Sequence, residues 1–144
     1  MSSIFTAKSL CSEKDKEIVF QDRGKCKYRA YNPKEYSVQA FKVDGGLIQD
    51  GVKCDYILLN NCLFEAFFVE LKGSDIRHAK EQLETTARKL AGNLKNYSKF
   101  YRVVYRTGTH DLKDAAIVLW RKKLGKINGR EAVIVKSMLL EETL

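Results

Sequence analysis

Residues 52–72, VKCDYILLNNCLFEAFFVELK, decide how this chain folds. Two runs rich in β-branched, aliphatic and aromatic residues, 52–59 and 63–72, flank Asn60-Asn61, a dipeptide suited to a tight turn. The pattern predicts two antiparallel strands. With the turn at Asn60-Asn61, residues whose numbers sum to roughly 121 to 125 lie opposite one another. Asp55 is then expected across from about 66 to 70, close to Glu70.

Working outward, residues 38–43 (VQAFKV) alternate apolar and polar side chains and end at Asp44-Gly45-Gly46, and Asp50-Gly51 marks a further turn. The three strands predict an antiparallel meander. Gly73-Ser74-Asp75 then supplies a break and a helix cap. Residues 75–94 read as one helix. Ile76, Leu83, Ala87, Leu90 and Leu94 form its apolar stripe, Asp75, Ala79, Gln82 and Thr86 a small and mostly uncharged flank, and His78, Thr85 and Lys89 a solvated side. Residues 100–106 and 115–121 read as fourth and fifth strands, and Asn128-Gly129 as a hairpin turn into a sixth at 131–137. Ahead of the meander, residues 9–20 (SLCSEKDKEIVF) read as a short helix capped by Ser9 or Ser12. The basic, tyrosine-rich stretch 21–37, with Pro33, reads as irregular. The expected fold is α/β: one domain over 1–144, with a mixed sheet flanked by helices and an extra C-terminal β-hairpin.

The chain has 144 residues, 44% of them hydrophobic and 31% charged, enough to bury a core and too apolar for disorder. Its longest apolar stretch is interrupted by Glu65 and Glu70 and is too short to span a bilayer. The first residues lack a basic segment followed by an apolar one, so a cytoplasmic protein with no membrane association is expected. Cys11, Cys26, Cys54 and Cys62 show no zinc-ligand spacing and read as structural thiols. The net charge is +8, and residues 72–136 carry 16 basic against 6 acidic side chains. That asymmetry suggests a polyanion-binding face, with Lys89, Lys95, Lys99, Arg102, Arg121, Lys122 and Lys123 as candidate phosphate contacts. At 121–123 the alternative is a charged strand edge that blocks sheet-to-sheet pairing.

Strand alternation places Glu70 and Lys72 on one face and Leu71 on the other. Two charges in so apolar a strand are costly to bury without a task or a partner. Asp55 adds a second carboxylate at the same end. Two carboxylates suit a hard divalent cation, Mg²⁺ with Mn²⁺ as a substitute, and the Leu71 carbonyl can add a third oxygen. Nearby, a lysine can hold or deprotonate a water and offset charge on a phosphate. No organic cofactor is implied. The competing structural reading leaves Glu70 and Lys72 on an exposed edge strand and pairs Asp55 with Lys53 or Lys72.

Asp55, fourteen intervening residues, then Glu70-Leu71-Lys72 resembles the PD-(D/E)xK nuclease superfamily, the fold of restriction endonucleases and archaeal Holliday junction resolvases. The expected order over residues 10–106 is similar to that family's αβββαβ core. The resemblance implies a metal-dependent DNA endonuclease in which Asp55 and Glu70 hold the metal and Lys72 acts on the attacking water. It also implies a metal-ligating glutamate from the first helix, Glu17 or else Glu13, and a catalytic glutamine on the following helix, Gln82. Cys54 stands where the motif's proline would be. A nuclease this small reads DNA structure, forms a homodimer, or takes specificity from a partner. The alternatives are a non-catalytic nucleic-acid- or protein-binding module on the same fold, and an enzyme acting on RNA or on a nucleotide.

Overall fold

A computed structural model of the chain describes residues 5, 8–22, 26–48, 51, 53–72, 76–106 and 115–144, with Lys72 described by its backbone. The meander is present: β1 (Glu17–Gln21) and β2 (Lys27–Tyr31) give way to β3 (Val38–Lys42), β4 (Tyr56–Asn60) and β5 (Glu65–Lys72). Next come α1 (Ile76–Lys89), β6 (Ser98–Tyr105), α2 (Ala115–Leu124) and a short hairpin of β7 (Lys126–Ile127) and β8 (Arg130–Glu131). The chain ends with β9 (Val133–Ser137) and β10 (Leu139–Thr143). Five strands form one mixed sheet in the order β3-β4-β5-β6-β9, and β1-β2-β10 form a second.

β5 is the pivot of this arrangement, antiparallel to β4 and parallel to β6. Parallel neighbours need a crossover, and α1 and α2 supply the two crossovers from β5 to β6 and from β6 to β9. One face of the large sheet, with Ile57, Leu59, Ala66, Phe68 and Val103, packs under Ile76, Ala79, Leu83 and Ala87 of α1 and Ile117 and Trp120 of α2. Leu58, Phe67, Val69, Leu71 and Val104 face the other way, onto Ile18, Phe20, Tyr28, Ala30 and Leu140 of the small sheet. Helices, large sheet and small sheet therefore make three layers.

The two sheets are joined by charge as well as by apolar packing. Arg102 of β6 is fully buried, and its Nε and Nη2 donate to Glu142 of β10 at 2.8 and 3.0 Å. Tyr28 donates its hydroxyl to the same carboxylate at 2.7 Å, and Arg130 adds Nη1 at 3.2 Å. The Arg102 guanidinium also lies over the rings of Phe67 and Phe100.

Several expectations change. Residues 9–20 form turns leading into β1 rather than a helix: Ile18 and Phe20 alternate inward, a period of two that the helical reading overlooked. Within 21–37, expected to be irregular, β2 buries Tyr28 and Ala30 by the same alternation. The expected strand at 115–121 is the helix α2, because Ile117 and Trp120, three apart, are buried while Val118 and Leu119 are exposed. The expected strand at 131–137 is split between β8 and β9. Asn128-Gly129 does turn a hairpin, with both residues at positive φ (53° and 81°) as a primed two-residue turn requires. Of the thiols expected to be structural, Cys54 packs in the core, and Cys62 sits exposed in the β4–β5 turn. The expected cap at 73–75 lies outside the described residues.

The buried pair sets an acid limit on stability. Burial pushes the Glu142 carboxyl up, but Arg102, Tyr28 and Arg130 together hold it below the ordinary 4.5. A carboxyl lowered in the folded state adds stability above its unfolded value, and that contribution disappears as pH falls through the folded value. Replacing Glu142 by Gln leaves Arg102 buried beside a neutral partner and should cost about 3–5 kcal/mol at neutral pH. Urea denaturation from pH 7 to pH 3 checks this: wild type should lose the contribution on acidification, and Glu142→Gln should show a flatter profile.

Candidate active site

The β4–β5 register pairs Tyr56 with Val69 and Asn60 with Glu65, so opposed residues sum to 125. Asp55 precedes the first pair and continues that register toward Glu70. Its Oδ2 accepts the backbone N–H of Leu71 at 2.9 Å, which fixes the carboxylate against the end of β5. The backbone carbonyl of Asp55 accepts the N–H of Val43 at 2.8 Å, so the β3 side holds the same residue.

Glu70 is 2% exposed and follows Ala66 and Phe68 on the helix-facing side of β5. This excludes the exposed-edge reading for Glu70, since β5 lies at the centre of the sheet. The Cys54 thiol reports on both carboxylates. Burial raises it far above its ordinary 9.0, and the charges of Glu70 and Asp55 raise it further against a hydrogen bond with Thr86. Both carboxylates therefore share one neighbourhood at the C-terminal end of β5. Lys72 closes β5, with its backbone paired to Tyr105, and its side chain lies outside what is described.

Helix α1 braces this corner along the flank expected to be small and mostly uncharged. Gln82 donates Nε2 to the Lys53 carbonyl at 3.0 Å, and Thr86 accepts the Cys54 N–H at 2.8 Å while donating to the Gln82 carbonyl at 2.7 Å. Gln82 thus holds the strand that presents Asp55, a positioning contact. Lys89, expected on the solvated side, is exposed yet leans toward the same segment: a Cβ on Gly51 would fall 2.6 Å from its Nζ. The Lys53 ammonium lies 3.7 Å from Asp44, in the turn after β3.

The first-helix glutamates do not reach this corner. Glu17 lies on β1 in the small sheet, 2.8 Å from the Arg29 Nε, and Glu13 accepts the Ser37 hydroxyl beside the opposite end of the β3–β4 ladder. Both assignments assumed a helix at 9–20 that the chain does not form. Asp22, just past β1, accepts the Cys26 N–H at 3.2 Å. Burial raises the Tyr56 phenol, and Asp55 and Asp22 both raise it further.

The basic candidates divide. Arg102 is buried in the ion pair with Glu142 and does not face a polyanion. Lys99 turns its Nζ to the carbonyls of Leu94 and Tyr97 at 3.4 Å, capping the turns after α1. Lys95 is exposed in those turns, and Arg121, Lys122 and Lys123 are exposed on the last turn of α2. Because these three end a helix, they do not guard a strand edge.

The donor set at the corner fits a hard cation. One carboxylate comes from β5 and the other from the residue just before β4, and the N–H and C=O of a strand residue point to the same side, so the Leu71 carbonyl faces toward Asp55. Among the described residues no group of three or more His, Cys, Asp or Glu gathers as at a metal site, so any cation would complete its shell with this carbonyl and water. None of the described helices is long and apolar enough to cross a membrane. Comparison with family models, with curated proteins and with solved structures finds no match to this chain.

Thr86→Val keeps the shape of the side chain and removes the acceptor for the buried Cys54 N–H. The orphaned donor should cost about 1–3 kcal/mol, read as a lower urea midpoint at unchanged slope.

Proposed function

We propose that the chain is a metal-dependent phosphodiesterase acting on DNA, of the PD-(D/E)xK type. The observation that carries this reading is the convergence of Asp55 and Glu70, by register and by the Asp55–Leu71 hydrogen bond, on the end of β5 that continues into Lys72. Two carboxylates brought together at the end of one strand repel each other, and a bound cation would offset that repulsion.

In this reading Asp55, Glu70 and the Leu71 carbonyl hold the cation. When bound, it stabilises charge on the phosphate oxygens and acidifies a water. Asp55 keeps its geometry because the Leu71 N–H holds its Oδ2 at 2.9 Å. Gln82 and Thr86 hold Lys53 and Cys54, just before Asp55, against α1. The sequence pattern assigns Lys72 the water or a phosphate oxygen. The exposed Lys89, Lys95 and the α2 terminus at Arg121, Lys122 and Lys123 supply positive charge for a nucleic-acid backbone.

Purified protein incubated with plasmid, branched and single-stranded DNA and with RNA, in Mg²⁺, Mn²⁺ or EDTA, tests the reading. Cleavage should require the metal, and Glu70→Gln and Lys72→Ala should each lower the rate about a thousandfold, roughly 4 kcal/mol of transition-state stabilisation. Cleavage by both variants at the wild-type rate contradicts it. Metal-independent binding of DNA without cleavage under any condition favours the binding-module reading, which the exposed basic end of α2 would equally serve.

Metal binding separates from chemistry in Asp55→Asn. The variant keeps an acceptor for Leu71 and loses one charge, so calorimetric titration should show weaker Mn²⁺ binding, with equal or higher thermal stability in the absence of metal. Neutralising Arg121, Lys122 and Lys123 together should weaken DNA binding on all sequences alike. It should also flatten the dependence of log affinity on log salt by about 0.9 for each phosphate that no longer meets a cation, read from binding isotherms at several salt concentrations.

A further inference from the structure

A second carboxylate on β5 stands in a different setting. Glu65 opens the strand and faces the small sheet, on the side opposite Glu70, and five residue steps along the strand separate the two by about 16 Å. It is 5% exposed, and its Oε1 has no hydrogen-bond partner among the described residues. Directly across the ladder stands Asn60. The Asn60 Oδ1 accepts the N–H groups of Cys62 and Leu63, while its Nδ2 is buried and likewise lacks a partner among the described residues.

Arg130, which also lines this site, lies over the Phe67 ring and donates to Glu142. Burial raises the Glu65 carboxyl above its ordinary value, Arg130 and Arg102 lower it in part, and Glu142 raises it again. The site opens into a cavity of about 500 Å³ lined by Leu63, Glu65, Asn128, Gly129 and Arg130. That is the size of a small-molecule pocket. A simple ion of either sign would meet a like charge there. A group bearing both N–H donors and an acceptor oxygen would meet a partner for each.

We propose that this cavity binds a small molecule that offers N–H donors to Glu65 and an acceptor or anionic oxygen to Arg130. Zwitterionic amino acids and the lactam edge of guanine share that chemistry. The β4–β5 ladder holds Glu65 rigidly, and the Glu142 network holds Arg130, so both groups are preorganised for a ligand. An unpaired buried carboxylate costs stability, and folds keep such departures from local consistency at sites that function uses.

Heteronuclear NMR of the full chain, titrated in turn with guanosine and with L-leucine at millimolar concentration, tests the proposal. Saturable shifts of the Leu63, Glu65, Gly129 and Arg130 amides are expected with at least one of them, and the one that binds identifies the source of the chemistry. Glu65→Gln and Arg130→Gln should each weaken that binding by about tenfold or more, the worth of a hydrogen bond to a charged group. No saturable shift at these amides with either probe overturns the proposal, as does binding that both variants leave unchanged. Urea denaturation of Glu65→Gln provides the second readout. Unchanged or higher stability supports a ligand site, whereas a clear loss shows a structural carboxylate bridged to Asn60 by buried water and overturns it.

Discussion

Everything in this molecule is arranged around β5, a strand buried on both faces. Its alternation sends Ala66, Phe68 and Glu70 to the helices and Glu65, Phe67, Val69 and Leu71 to the second sheet. A shift of one residue in its register would exchange those two sets and place both glutamates against the wrong layer. The apolar residues hold the register, and the register then carries the two carboxylates to fixed places. Glu70 lies at one end, beside Asp55, and Glu65 at the other, beside Arg130. The apolar core and the polar sites are thus consequences of one pairing.

The Arg102–Glu142 pair shows the same dependence from the other side. Glu142 arrives from β10 only because Met138, at φ 63°, turns the chain from β9 in the large sheet to β10 in the small one. The N–H of Met138 is held by the Tyr105 carbonyl, and its carbonyl accepts the Lys27 N–H, so a single residue stitches the two sheets together. Arg102 then has a carboxylate to meet in the interior, where its charge without a partner would be costly. Part of the basic excess of residues 72–136 is therefore internal and structural, and the share left on the surface is smaller than the count of side chains suggests.

The hairpin, the upper end of its expected register range and the bracing flank of α1 were legible in the sequence because each rests on local signals: strand-rich runs and a helical period that sets Gln82 and Thr86 on one side. The turn itself runs over 61–64, since Asn60 still pairs with Glu65 in the ladder. The layers beyond them were not. The small sheet joins residues 17–31 to residues 139–143, a pairing across most of the chain that no local pattern encodes. The apolar run AAIVLW of α2 has strand composition, and only its place as a crossover between parallel strands makes it helical. Loss of the expected first helix also removed the setting for Glu17 and Glu13. The burial of Arg102 was invisible for the same reason, since its partner lies 40 residues away.

Whether Asp55 and Glu70 hold a cation together is decided most directly by paramagnetic broadening. Substoichiometric Mn²⁺ added to the ¹⁵N-labelled protein broadens amide resonances near the ion and leaves distant ones sharp. The expected first losses are Asp55, Glu70, Leu71 and Lys72, with Glu65 and the β7–β8 hairpin at the far end of the sheet retained. Uniform broadening, or first losses at an end of the sheet away from these residues, would contradict a shared cation at this corner.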